Sequence, residues 1–406
     1  MSSKICTLFR GQRATLDAEH LAALETYRGA VWFHAASVGE FEQARPIIER
    51  LKGERVNGER IIVTFFSPSG YEARKEYELA DGVFYLPIAT RRNAKRFLDA
   101  LQPSKAIFVK YEFWPAYLKE LSKRSIPTYS ICSIFRPTQR FFHWYGFSAR
   151  RVLKCFTHLF VQDEASRELL VAHGINQCSV AGDTRFDRVA KIMGERMNGE
   201  RVNGLTPVAQ FVEGATRVIV AGSTWPKDEV LLHQYVERMN GLMGEGVKLI
   251  LVPHEIDETH IHYLFNLFQG RAIRYSFISG MPSDMSRLTI LQHAQVMIID
   301  TMGMLSSLYR FSHVAYIGGG FGVGIHNTIE AAVYGVPVIF GPNYRHFREA
   351  QGLIDANAAR SIKNYSELEA ALDTALDQHE TIGAKAAEYV QSELGATDKI
   401  YKYIFS

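Results

Sequence analysis

The sequence predicts an α/β protein of two doubly wound, parallel-sheet domains facing a cleft. Three observations predict it. Short apolar, β-prone runs alternate with amphipathic stretches of roughly ten or more residues, which is the signature of βαβ units. That pattern breaks at Met193–Gly204, a polar segment rich in Gly and Asn, and then restarts. At 406 residues the chain also exceeds the size at which one core keeps growing.

In chain order, the first-half strands expected are Val31 to His34, Arg60 to Phe65, Gly82 to Leu86, Ala106 to Lys110, Pro127 to Ile131 and His158 to Gln162. Each is an apolar run bounded by turn residues or helical patterns, and right-handed crossovers make a doubly wound sheet the simplest topology. The second half begins with Val218 to Ala221 and continues with Lys248 to Val252, Val296 to Ile299, Val314 to Ile317 and Val336 to Phe340. The expected division is residues 1–190, a linker or insertion at 191–206, and 207–406. Pieces related to the linker recur at Gly53–Arg60 and Glu237–Gly241 and read as loop expansions at helix ends.

Composition excludes several classes. A net charge of +3 is small for this length and argues against a nucleic-acid-coating or disordered protein. Cys6, Cys132, Cys155 and Cys178 lack CxxC spacing, so neither a zinc site nor a disulfide framework is expected, and a reducing, cytoplasmic setting is the default. No stretch reaches the ~20 apolar residues of a membrane span. No Asp/Glu/His cluster has metal spacing, so neither metal nor cofactor is expected.

Residues 31–45 set Glu40 on a glycine-containing loop between a buried strand and a helix. Two readings stay open here. Glu40 caps the helix, with its charge on the positive dipole end, or it works at the carboxyl end of a strand, where open parallel sheets bind ligands. On the same rim lie Ser67 and Ser69 after the second strand, and Lys110 and Glu112 after the fourth. Lys110 and Glu112 either serve the cleft or pair with each other.

The second half offers a nucleotide or phosphate site. Its rim loops hold Ser223 and Thr224, Pro253-His254-Glu255, Asp300-Thr301-Met302-Gly303 and Gly341-Pro342-Asn343. The run Ile317 to Glu330 reads as strand, glycine-rich loop and helix start, where free N–H groups suit a phosphate. The loop follows a late strand of its domain, which argues against a dinucleotide site.

Residues 135–154 interleave Arg136, Arg140, Arg150, Arg151 and Lys154 with six aromatics. They form either a core helix with a charged side or a surface for anionic lipid, to which Arg91 and Arg92 add.

From about Phe9 onward the chain resembles the bacterial Kdo (3-deoxy-D-manno-octulosonic acid) transferases, which have a GT-B fold of two Rossmann-like domains. The resemblance is carried by Phe33-His34-Ala35-Ala36-Ser37-Val38-Gly39-Glu40, Ser67 to Gly70, Lys110 to Pro115, Gly182 to Arg188, Asp300 to Gly303, and His326-Asn327 through Glu330. It implies transfer of Kdo from CMP-Kdo to a hydroxyl of the lipid A precursor, lipid IVA, with inversion and Glu40 as base. Donor contacts would then fall to Ser223, Thr224, Pro253, His254, Gly303, Met304, Leu305, Asn327, Thr328, Ile329 and Glu330. Acceptor phosphates would meet Arg91, Arg92, Lys110, Arg136 and Arg140. The last helix would pack back on the first domain.

Two positions depart from the family pattern: His254 stands where an arginine is usual, and Met304 where a glutamate is usual. Family members usually begin with a hydrophobic anchor. Here Met1 to Cys6 offers none: either the chain is a shortened form, or binding relies on a basic and aromatic surface, and peripheral attachment to the cytoplasmic face of the inner membrane is expected. The rival readings are a GT-B transferase or epimerase using a UDP-sugar, and a non-catalytic nucleotide-binding protein.

Overall fold

The computed structural model describes residues 11–54, 58–197, 204–241, 246–322 and 324–406. The chain forms two compact units, one running to Arg188 and including Glu393–Ser406, the other Val189–Ser392. The expected linker is helical at its start, because helix Thr184–Met197 runs into it, and helix Thr206–Val212 begins at its end. Glu237–Gly241, read as a loop, is the end of helix Pro226–Gly241. Residues 55–57 and 198–203, within the other expected loop expansions, lie outside the described residues, as do Met1 to Cys6.

Unit 1 is built on β1 (Val31–Ala35), β2 (Ile61–Phe65), β3 (Gly82–Tyr85), β4 (Lys105–Val109), β5 (Thr128–Ser133), β6 (His158–Val161) and β7 (Cys178–Val180). Their order is β3-β2-β1-β4-β5-β6-β7, parallel throughout. Val31, Phe33, Ile61, Val63, Ile107 and Ile131 are buried with Ile400, Tyr401 and Ile404 of helix Ala396–Phe405 on one face. Trp32, Ile62, Ala106 and Phe108 face the other core. Both faces are covered, which explains why these strands read as continuous apolar runs rather than alternating ones.

Unit 2 contains β8 (Val218–Thr224), β9 (Lys248–Pro253), β10 (Ala272–Arg274), β11 (Val296–Ile298), β12 (Val314–Ile317), β13 (Val338–Phe340) and β14 (Ala359–Ser361). The order is β10-β11-β9-β8-β12-β13-β14, again parallel. Strand order reverses direction between β1 and β4 in unit 1, and between β8 and β12 in unit 2. Loops leaving the carboxyl ends of such strand pairs splay apart and leave a crevice, so these are the positions at which open α/β sheets bind ligands.

Candidate functional site

In unit 1, both loops at the switch point carry predicted residues. Ser37 and Glu40 have the spacing of a capping box at helix Val38–Gly53, but the Ser37 side chain makes no cap bond. Its hydroxyl donates to the Glu40 carboxylate at 2.8 Å instead. Glu40 is half-buried and oriented by this serine.

Rim loops in this unit hold each other. Phe66 N–H donates to the Ala35 carbonyl and Ser67 N–H to that of Ala36. Ser67 is the cap of helix Pro68–Arg74, accepting from Gly70 N–H at 3.1 Å, and its hydroxyl lies 3.2 Å from that of exposed Ser69. After β4, Lys110 has φ +54°, and within β5, where its register against β6 shifts, Cys132 has φ +56°. Left-handed backbone at non-glycine residues costs of order 1–3 kcal/mol and concentrates at functional sites.

Lys110 and Glu112 do not pair with each other. Glu112 is buried, 3.0 Å from His34 Nε2, and accepts from Trp114 Nε1 at 2.6 Å. Both contacts are made by the same oxygen, Oε2. Lys110 lends its charge to the neighbourhood of Asp183.

Asp183 is fully buried, and burial alone would raise its pKa. The Arg185 guanidinium, donating from Nε at 3.0 Å and Nη2 at 2.7 Å, overcomes this and holds the carboxyl at about 2. Gln43 Nε2 donates to the same carboxylate at 2.9 Å and Gln162 Nε2 at 3.2 Å, so it knits the Glu40 helix to the residue that follows β6. None of Gln43, Gln162 and Asp183 was singled out from sequence as a site residue. Tyr111 adds a further group: burial raises its phenol, Arg136 opposes, and Asp163 and Glu40 reinforce the rise. The charges of Arg136, Asp163 and Glu40 thus all act on this phenol.

The segment 135–154 is not one helix. Phe135 and Phe141 enter the core beside Phe113 and Phe156, whereas Trp144 is 91 % exposed, Tyr145 59 % and Phe147 60 %. Arg140 is exposed, and the Arg151 guanidinium lies 4.6 Å from the Phe147 ring. Arg91 and Arg92 open helix Arg91–Leu101, exposed and with no acidic residue in the first turn.

In unit 2, β8 ends in a bulge against β9 at Ser223, which has φ +55°. The glycines of the rich loop serve packing between loops. A Cβ on Gly318 would lie 2.2 Å from the Ser223 carbonyl oxygen, and one on Gly320 would lie 2.5 Å from Gly341 Cα. Val323 of that loop lies outside the described residues.

Asp228 binds the assembly from below, accepting from the N–H groups of Trp225 and Gly319, each at 3.0 Å, and from the Tyr316 hydroxyl. Its burial raises its pKa. Thr224 is buried and its hydroxyl donates to Glu229 at 3.0 Å, so this side chain faces inward and only the backbone remains for a ligand.

Pro253 ends β9 opposite Thr224, and exposed His254 follows. Its ring stacks 4.7 Å from Trp225 and lies 4.7 Å from His326. Burial, reinforced by His254, lowers the pKa of His326. This three-ring array went unrecognised in the sequence, because its members lie on three loops.

Gly303 has φ +86°, Met304 accepts through sulfur from Thr301, and Leu305 packs against Gly222. Helix Ile329–Ala332 is a single turn whose Ile329 N–H is taken by Asn327 Oδ1 at 3.1 Å, while Asn327 Nδ2 donates to Glu330. Asn327 thus takes one of the N–H groups at this helix start. Thr328 and Ile329 are buried, and Glu330 is half-buried near the Tyr309 phenol, whose burial raises it far above its usual range.

The fold also brings together a cluster that the sequence did not reveal: Glu255, Asp257 and His260 place ligand atoms within 4.8 Å of one another. Asp257 already caps helix Glu258–Leu267, and His260 Nε2 is shared by both oxygens of buried Glu229.

Residues 11–188 match the family model described as 3-deoxy-D-manno-octulosonic-acid transferase (kdotransferase). A protein of that name from Aquifex aeolicus is 26 % identical over 352 residues, 85 % of this chain and 86 % of the relative. Among solved structures, UDP-GlcNAc 2-epimerase from Neisseria meningitidis superposes with TM-score 0.62 at 14 % identity, over 92 % of this chain and 98 % of its own. MurG from Acinetobacter baumannii gives 0.57 at 11 % identity, over 93 % and 99 %. At such identities the structural likenesses speak only for the fold, which is GT-B. The sequence relationship to proteins named 3-deoxy-D-manno-octulosonic acid transferase extends through both units and supports reading the chain as a Kdo glycosyltransferase.

Proposed function

We propose that the chain transfers Kdo from CMP-Kdo to a hydroxyl of the lipid A precursor, lipid IVA, with inversion at the anomeric carbon. The observation that carries this reading is Glu40, a half-buried carboxylate at the switch point of unit 1 whose serine partner orients it instead of capping the helix. Glu40 takes the proton of the acceptor hydroxyl while that oxygen bonds to the anomeric carbon and the bond from that carbon to the CMP phosphate oxygen breaks. Unit 2 receives the donor, with Glu330 toward ribose hydroxyls and His254 toward phosphate. His254 is a weaker phosphate partner than arginine, lacking permanent charge and a bidentate fork.

Acceptor phosphates fall to Lys110, Arg136, Arg140, Arg91 and Arg92. Two arginines in the first turn oppose the helix dipole, so helix stability does not explain them. Attachment to the cytoplasmic face of the inner membrane is peripheral in this reading, through Trp144, Tyr145 and Phe147 with Arg140 and Arg151. Among the described residues no helix is long and apolar enough to cross a membrane.

Glu40→Gln decides the chemistry: turnover should fall by ~10²-fold or more while CMP affinity is kept. Near-normal turnover would remove the general base. Offering CMP-Kdo and UDP-GlcNAc side by side tests the donor, since consumption of the UDP-sugar would overturn this assignment. Charge reversal at Arg136 and Arg140 should raise the acceptor KM and spare that of the donor.

A further inference from the structure

Asp228 is fully buried on helix Pro226–Gly241, and its two oxygens face different partners. Oδ1 accepts from the hydroxyl of buried Tyr316 at 2.7 Å, whereas Oδ2 alone accepts from Trp225 N–H and Gly319 N–H, each at 3.0 Å. Trp225 follows β8 and Gly319 follows β12, the strands between which the order of this sheet reverses. One oxygen therefore ties together the two loops of the switch point.

The ring array hangs from the same two peptide groups. In the Thr224–Trp225 peptide the N–H goes to Asp228, and the carbonyl accepts from His254 N–H at 2.9 Å. In the Gly318–Gly319 peptide the N–H again goes to Asp228, and the carbonyl accepts from His326 N–H at 3.3 Å. The His254 ring lies 4.7 Å from each of the other two rings. Stability does not explain Asp228. Among the described residues it meets no basic side chain, unlike its neighbour Glu229, which His260 meets at 2.9 Å. A buried carboxylate without a cation costs more than a neutral side chain of its size.

We infer that Asp228 is a positioning residue for the donor phosphate: through these two peptides it fixes the three rings and so aims His254 at that group. The inference rests on the donor reading above, in which His254 meets the phosphate.

Titration calorimetry of the full chain with CMP tests it. His254→Ala should lose affinity by about tenfold, which checks the underlying reading. Asp228→Ala should lose at least about tenfold with its circular dichroism unchanged, whereas Asp228→Asn, whose amide oxygen still accepts both N–H groups, should stay within about threefold of the parent. Tyr316→Phe removes only the Oδ1 bond, so it should lower the melting temperature and keep CMP affinity within about threefold. Adding Asp228→Ala to His254→Ala should cost no more than about threefold further, because the carboxylate acts through that ring. In the parent chain, saturating CMP should slow amide exchange at Trp225 and Gly319, a measurement that needs no variant to fold. With His254→Ala weakened as expected, parent-like affinity in Asp228→Ala, an equal loss in Tyr316→Phe, or unaltered exchange at both amides would overturn the inference and leave the donor reading standing. Parent-like affinity in His254→Ala would remove both.

Discussion

Asp183 keeps a negative charge where no solvent reaches it, and the reason is the guanidinium of Arg185. Burial pushes its pKa up, but Arg185 and the donors around it hold the carboxyl at about 2, below its ordinary 3.8. A depressed carboxyl contributes stability that is complete above the unfolded pKa and is lost as pH falls through the folded one. For Asp183 the window runs from about pH 4 down to about 2, and the contribution is on the order of 2 kcal/mol. Asp183→Asn should therefore weaken the fold by roughly 3 kcal/mol at neutral pH, since it deprives Arg185 of this carboxylate. It should also flatten the acid limb. Urea midpoints measured at steps from pH 5 to pH 2 would show this, and a variant with the same acid slope as the parent would refute the assignment. The structural consequence reaches Glu40, because the same carboxylate holds Gln43 on the Glu40 helix.

At the level of elements, a second aspartate does a different task. Asp187, in the first turn of helix Thr184–Met197, accepts from Gly395 N–H and Thr397 N–H, each at 2.6 Å. Helix Ala396–Phe405 starts from Gly395 at φ +98° with no side-chain cap of its own, so Asp187 supplies that cap from more than two hundred residues away. Asp187→Ala should destabilise unit 1 by about 1–2 kcal/mol, the usual value of an N-cap. Faster amide exchange at Gly395 and Thr397, partly restored in Asp187→Asn, is the direct readout, and unchanged exchange there would rule the cap out. Such a bond could not be read from sequence, nor could the meeting of Gln43 with Asp183, because each joins residues that only the fold brings together.

What was legible were the strands buried on both faces, such as Val31–Ala35 and Lys248–Pro253, whose apolar runs are continuous. The edge strand Ala359–Ser361, and likewise Cys178–Val180 and Ala272–Arg274, went unread because each is three residues long and mostly half-buried or exposed. Glu40 was visible as a candidate from its loop. Its freedom from capping was not, since a capping box and a serine-oriented carboxylate share one spacing.

At the scale of the whole molecule, the last fourteen residues belong with the first unit. Ile400, Tyr401 and Ile404 are each at most 5 % exposed and share a core with Val31, Phe33 and Ile61. Arg50 pairs with Asp398 and covers the Tyr401 ring at 4.4 Å, and Lys105 lies 5.1 Å from the Phe405 ring. Burying three such side chains contributes about 6 kcal/mol as an upper figure. A domain of this size has only about 5–15 kcal/mol of net stability. Deleting residues 393–406 therefore removes a large share of what keeps unit 1 folded, while unit 2, which contains none of these contacts, loses nothing. Calorimetry of the truncated chain should lack the transition of unit 1 and keep that of unit 2. Limited proteolysis read by mass spectrometry should then release peptides from 11–188 while 204–392 persists. Equal resistance of both units in the truncated chain would mean that the first sheet folds without its returning helix, and would contradict the packing energies assigned to Ile400, Tyr401 and Ile404.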